Sequence, residues 1–428
     1  MLLSATIDTV EEAKDKNNPI CMIGVKICAV LLGTFVTVFL TAQIFILNGQ
    51  DVVATALFIL VYLSSFFVFH TLSSFLVRPL SPVRLIQISA ILCFLFLLTI
   101  TLWPELIETH TILLGVAWGL GRGFYWSGIE YIVATQFKGS RTLKFEIVYR
   151  KAKLIVGIMF PVTLGLVINF GDFGYTITAI LFVCVAQVLF SLGLRRQRDV
   201  GNRGVCFKQF FGNIKQQNLS RQAWGLWLVS LFRGPNAVLN MTIPMLVIIA
   251  FGSHLNLGIL LSAVSLITIL LMLVYRRVPL RVQAKIYFVI AILMFLFSLP
   301  LFFVITYATV ATYQLFQKAN NIIDSEYGAA YANFAKVCCG EQFTLASHSF
   351  LTAGHTIGRI IVCVTLIIAG LIGGVYALSV VIFIMSVSLL TAAILLWRWK
   401  KKHVFLAKEI SEHAQSCDCE CEGDCMCY

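Results

Sequence analysis

The 428-residue chain is 59% hydrophobic and 12% charged, with a mean hydropathy of +0.90. Ordinary soluble domains carry about 25% charged residues, so the composition excludes one and specifies an integral membrane protein. The net charge of +12 would suggest nucleic acid in a soluble protein, but here membrane topology accounts for it, and nucleic-acid binding is set aside.

A helix crosses the bilayer with about 20 apolar residues, and twelve stretches qualify. Residues 1–21 form a tail with Asp8, Glu11, Glu12 and Asp15, too polar for a cleavable signal. The first six spans are Met22 to Leu47, Val52 to Val77, Arg84 to Trp103, Thr109 to Thr135, Ala152 to Phe170 and Phe173 to Leu194. They make an N-terminal half, residues 22–194, followed by a basic central loop, 195–222. The C-terminal half, 223–397, holds Ala223 to Phe251, Leu255 to Tyr275, Lys285 to Phe303, Val304 to Ile323, Phe350 to Ile372 and Val375 to Trp397. A tail, 398–428, closes the chain. Spans nine and ten have only Pro300 as punctuation. Helices are required because lipid cannot satisfy open backbone groups, and the long uniform apolar runs exclude a barrel.

Basic residues fall in alternate connections. The N-terminal tail (Lys14, Lys16), Arg78 after span two, the Lys138–Lys151 segment after span four, the central loop, Arg276 with Arg277 after span eight, Lys336 after span ten and Lys400 to Lys402 in the tail carry them, while the connections after spans one, three, five, seven, nine and eleven carry none. Positive charge is retained on the cytoplasmic side. The pattern therefore puts both termini inside, supports an even span count, and makes the expected location the plasma (inner) membrane. A shift of 201 residues superposes Gly33 on Gly234, Gly157 on Gly358 and Tyr175 on Tyr376, as expected of duplicated six-span halves.

Charged and polar residues at membrane depth are the candidate site. Arg122 lies near the middle of span four and Arg233 deep in span seven, with Arg359 in span eleven. Arginine stays charged when buried, so each needs a carboxylate, carbonyls, water or an anionic solute. Glu130, eight residues beyond Arg122 on nearly the same helix face, is the candidate proton carrier. Tyr125 and Trp126 flank Arg122, and Asn236 and Asn240 follow the Gly234-Pro235 step. That step would loosen the helix ladder and offer carbonyls to a ligand. His70, His110 and His254 read as boundary residues, and His348 and His355 as secondary candidates for a proton relay.

The tail ends with Cys417, Cys419, Cys421, Cys425 and Cys427 among acidic residues. Close thiolates suit a soft metal ion such as Cu(I) or Zn(II); no other cofactor is expected. No G-x-x-x-x-G-K-[ST] loop is present, which argues against direct use of ATP. No nucleophile–base cluster lies within the spans, so the chain does not read as an enzyme.

Six plus six spans, a basic central loop and basic hairpins after spans two and eight resemble the major facilitator superfamily. Arg78 and Arg84 stand where that family has a charged hairpin motif. Gly115, Gly119, Gly121, Arg122, Gly123 and Gly128 resemble the arginine-bearing fourth span of its proton-coupled exporters, and Gly157, Pro161 and Gly165 their fifth. Gly121 to Trp126 and Gly358-Arg359 look like a little-characterised branch of bacterial permeases. The resemblance implies an all-α fold of twelve transmembrane helices in two pseudo-repeated halves. It further implies a monomeric secondary transporter of a small organic solute by alternating access, proton-coupled and exporting. Uptake or exchange of an organic anion is the first alternative, motivated by the arginines. A transport-inactive membrane sensor using the cysteine tail is the second.

Overall fold

The computed structural model describes residues 19–136, 140–195, 207–216, 218–277, 280–320 and 344–416, with Tyr327, Gly328, Ala330 and Phe334. Among these residues the chain is helical and has no strand. The first half comprises α1 (Pro19–Leu47), α2 (Val52–Leu80), α3 (Pro82–Leu102), α4 (Thr111–Gln136), α5 (Ser140–Phe170) and α6 (Phe173–Leu192). After a short helix, Phe207–Gln216, come α7 (Ser220–Phe251), α8 (His254–Arg277), α9 (Leu280–Ser298), α10 (Tyr307–Ala319), α11 (Thr344–Gly373) and α12 (Ala377–Ser416). Nine of them are long and apolar enough to cross a membrane: α1, α2, α3, α5, α6, α7, α8, α11 and α12. The chain is a multi-pass membrane protein. Its fourth, ninth and tenth expected spans are helices α4, α9 and α10, outside those nine.

Local chemistry sets the boundaries. Asp51 caps α2, its Oδ1 accepting from Val53 N at 2.7 Å, and Asp172 caps α6 through Phe173 N at 2.6 Å. Ser81 takes a left-handed φ of 67° between α2 and α3, and Pro82 opens α3. At the Pro300 punctuation, α9 ends, a 3-10 turn covers Pro300–Phe302, and Thr306 caps α10 with a capping box. Several ends lie beyond the expected ones. The helix α5 starts at Ser140 and α12 runs to Ser416, carrying helix through basic segments read as connection and tail. The central loop contains Phe207–Gln216, whose Phe210 and Ile214 are buried, with the Phe210 ring 6.0 Å from that of Phe350 on α11.

Glycine spacing explains the packing of α4. Gly115, Gly119 and Gly123, four residues apart, face α2, where an added Cβ would meet the backbone of Phe58, Tyr62, Phe66 and His70. Gly121 and Gly128 face α3 at Cys93 and Pro82. Membrane helices associate by close packing of small residues, so the glycine-rich span is the keel of the first half. Between the halves, α2 packs on α11 and α5 on α8. Gly370 of α11 rests on Val52 and Val53, while Gly165 of α5 rests on the His254–Leu255 backbone and Gly258 of α8 on the Pro161 carbonyl. Large apolar side chains such as Phe182, Leu189 and Ile372 point outward, as lipid-facing residues do.

Candidate functional site

Glu130 occupies the junction of three helices. Its Oε2 is 3.2 Å from His70 Nε2 on α2 and 3.7 Å from His348 Nδ1 on α11. One carboxylate thus touches an imidazole from each half of the bundle. His70 is buried, whereas the side chains of Glu130 and His348 retain 20% and 29% exposure. A serine cluster holds the histidine in place. Ser127 Oγ on α4 donates to the His70 carbonyl at 2.8 Å, Ser74 Oγ to the same carbonyl at 2.9 Å, and Ser73 Oγ to Ser127 Oγ at 2.6 Å. Gly123 lets the α4 backbone approach the His70 amide. This turn of α2 is therefore anchored on two sides.

The partners of Glu130 are two histidines. The arrangement corrects one expectation: His70, read as a boundary residue, is a buried member of this cluster. The signal in the sequence was the spacing His70, Ser73, Ser74, which places three polar groups on one face of an apolar helix. His348 contributes across the halves, which spacing within one helix does not show.

Arg122 turns the other way. Its Nη1 donates to the Ala29 carbonyl of α1 at 3.1 Å, and its guanidinium lies 5.2 Å from the Tyr125 ring centroid, 5.8 Å from Trp118 and 5.9 Å from Trp126. An added Cβ at Gly33 would stand 3.4 Å from it. Tyr125 is buried, while Trp126 is 38% exposed. This is a cation–aromatic joint between α1 and α4.

In the second half, Arg233 on α7 stands over the Tyr327 ring at 4.3 Å. Asn240 Nδ2 donates to the Asn236 carbonyl at 2.9 Å, and Gln317 Nε2 of α10 donates to Asn240 Oδ1 at 2.7 Å. These amides link α7 to α10. The Gly234-Pro235 step does not open the helix: Gly234 is helical (φ −45°, ψ −45°), and its N–H bonds to Ser230. Pro235 has no N–H to offer the Leu231 carbonyl, and that oxygen faces Gly358 of α11. The step is a packing device, not a ligand-facing break. Arg359, one residue further along α11, has its guanidinium 6.0 Å from the Phe66 ring of α2.

The candidate residues therefore form three places rather than one. Arg122, Tyr125 and Trp126 lie between α1 and α4; Glu130 sits with the two histidines; and Arg233, Asn236, Asn240 and Arg359 belong to the second half, Arg359 reaching across to α2. Among the described residues no group of three metal-ligating side chains is placed to hold a metal ion. Cys417, Cys419, Cys421, Cys425 and Cys427 lie outside the described residues.

No family model matches the chain, and no curated protein matches it by sequence. Solved structures do match in three dimensions. The nucleoside transporter NupG is 14% identical with a TM-score of 0.62, over 90% of this chain and 99% of its own. A proton dependent oligopeptide (POT) family transporter is 12% identical with a TM-score of 0.66, over 89% of this chain and 100% of its own. A D-xylose-proton symporter is 12% identical with a TM-score of 0.66, over 89% of this chain and 97% of its own. The chain has the fold of major facilitator-type transporters.

Proposed function

On this transporter fold, we propose that the protein is a secondary active transporter that moves a small organic solute by alternating access, with proton movement coupled through Glu130. The observation that carries the reading is the Glu130 carboxylate held between His70 of its own half and His348 of the other. A negative Glu130 attracts either imidazolium and ties α4 to α11. Protonating the carboxylate removes that attraction, so proton occupancy biases the arrangement of the halves. The oligopeptide transporter and the xylose symporter are proton-linked by name, which accords with this reading. Twelve crossings with both termini cytoplasmic remain the topology proposed from the basic connections. The glycine-rich fourth and fifth spans favour export as the direction.

A second reading is uptake or exchange of an organic anion, favoured by the arginine excess at membrane depth. The test is reconstitution into liposomes with a pH-sensitive dye inside, and addition of sugars, nucleosides, peptides and organic acids in turn. Wild-type protein should couple one solute class to a change in lumenal pH. Glu130→Gln should exchange that solute without moving protons. Proton-driven accumulation that survives Glu130→Gln would overturn the coupling.

A further inference from the structure

Arg359 is an arginine at the seam between the halves, with no hydrogen bond or ion pair among the described residues, and its Nε is buried without a partner. Phe66 of α2 faces the guanidinium at 6.0 Å, and Tyr62, one turn back on α2, Arg233 of α7, and His355 and Cys363 of its own helix lie within its electrostatic reach, none of them a carboxylate. Such a group is costly in a membrane interior. Most cations at this depth find a carboxylate, a carbonyl or water, as Arg122 finds the Ala29 carbonyl. The guanidinium fork keeps its charge and matches a carboxylate in two parallel hydrogen bonds.

We propose that Arg359 is the anion subsite of the transported solute: it takes a carboxylate-bearing organic molecule whose apolar part rests against Tyr62 and Phe66. The inference rests on the carrier reading above and names its substrate class. The subsite also has a physical link to the proton site. The Phe66 ring lies 5.7 Å from the His70 ring and 6.0 Å from the Arg359 guanidinium. One aromatic side chain thus touches both the residue that would hold the solute and a partner of Glu130. A solute seated on Phe66 bears on the histidine that faces the proton carrier.

The experiment uses the purified full chain and matched probes: benzoate against benzamide, and phenylacetate against phenylacetamide. Thermal unfolding is read with each, because binding to the folded state raises the apparent Tm. The carboxylates should stabilise the protein, with apparent affinity on the order of tenfold or more above that of the amides. Arg359→Gln should abolish the difference. Arg359→Lys, which keeps the charge but not the fork, should reduce it and guards against a Gln variant that does not fold. Equal response to acid and amide, or a preference that persists in both Arg359 variants, overturns the proposal. The two readings fail separately: carboxylate binding without solute-linked proton flux sinks the coupling alone, and proton-linked flux of neutral solutes without carboxylate preference sinks the subsite alone.

Discussion

Gly234 and Gly358 bring α7 and α11 together backbone to backbone. A Cβ added at Gly234 would strike the His355 carbonyl and stand 3.1 Å from Gly358 Cα; one added at Gly358 would strike the Leu231 carbonyl and stand 3.4 Å from Gly234 Cα. The crossing fixes the middle of α11, beside Arg359 and ten residues beyond His348.

Gly358→Ala should therefore be destabilising, because the added methyl meets main chain that cannot rotate away. A loss of about 1–3 kcal/mol is expected for such overpacking, read as a lower Tm of the purified protein. Gly157, its counterpart in the sequence repeat, has nothing within 4 Å of an added Cβ. Gly157→Ala should leave Tm unchanged or raise it slightly through helix propensity. Equal loss at both positions would contradict the crossing.

Replacing either histidine around Glu130 should affect coupling before it affects folding. His348→Ala removes the cross-half contact and should leave solute exchange in place while proton-driven accumulation falls toward background. His70→Ala should do this and also lower stability, since the ring is buried and its turn is anchored by Ser73, Ser74 and Ser127. Paired exchange and accumulation assays in liposomes separate the two. A His348→Ala variant that accumulates solute normally would remove that residue from the mechanism.

The opposite end of the bundle has its own tie between halves. His254 Nε2 of α8 meets Gln43 Oε1 of α1 at 3.1 Å, and the His254 ring lies 6.2 Å from both Phe39 and Phe173. Gln43→Leu leaves the imidazole without that partner and costs about 1–3 kcal/mol locally. Hydrogen exchange should accelerate in residues 254–262 and 161–170, where α8 and α5 pack, and should not change around His348. Uniform acceleration across both ends would argue against an independent closure.

Truncation before Cys417 should leave solute transport intact. The same truncation should lower bound Zn(II) or Cu(I), measured by elemental analysis of protein purified with each ion, because the clustered thiolates are gone. Loss of transport on truncation would instead make the tail part of the carrier.

Much of the fold was legible because the bilayer imposes two strong rules, helix length and charge placement. The Pro300 break shows the value of one residue: it separates two helices that no charge separates. Helix ends were less legible at Ser140 and Ser416, since a basic helix extending past the membrane has the same composition as a connection. At the candidate site, spacing put Arg122 and Glu130 on one helix face. The eight-residue step from Arg122 to Glu130 covers about two turns, about 12 Å at 1.5 Å per residue, and each side chain found a nearer partner on a neighbouring helix.

The sequence by itself determined that this chain lives in a membrane and that it is helical, because these follow from composition and hydropathy. Only the tertiary structure decided which polar groups meet. His70 and Glu130 are sixty residues apart, and His348 comes from the other half; no periodicity along one helix encodes contacts made by packing several. The roles of Gly234-Pro235 and Gly358 were likewise settled by the crossing of α7 and α11, because a glycine's use depends on what approaches it from outside its own helix.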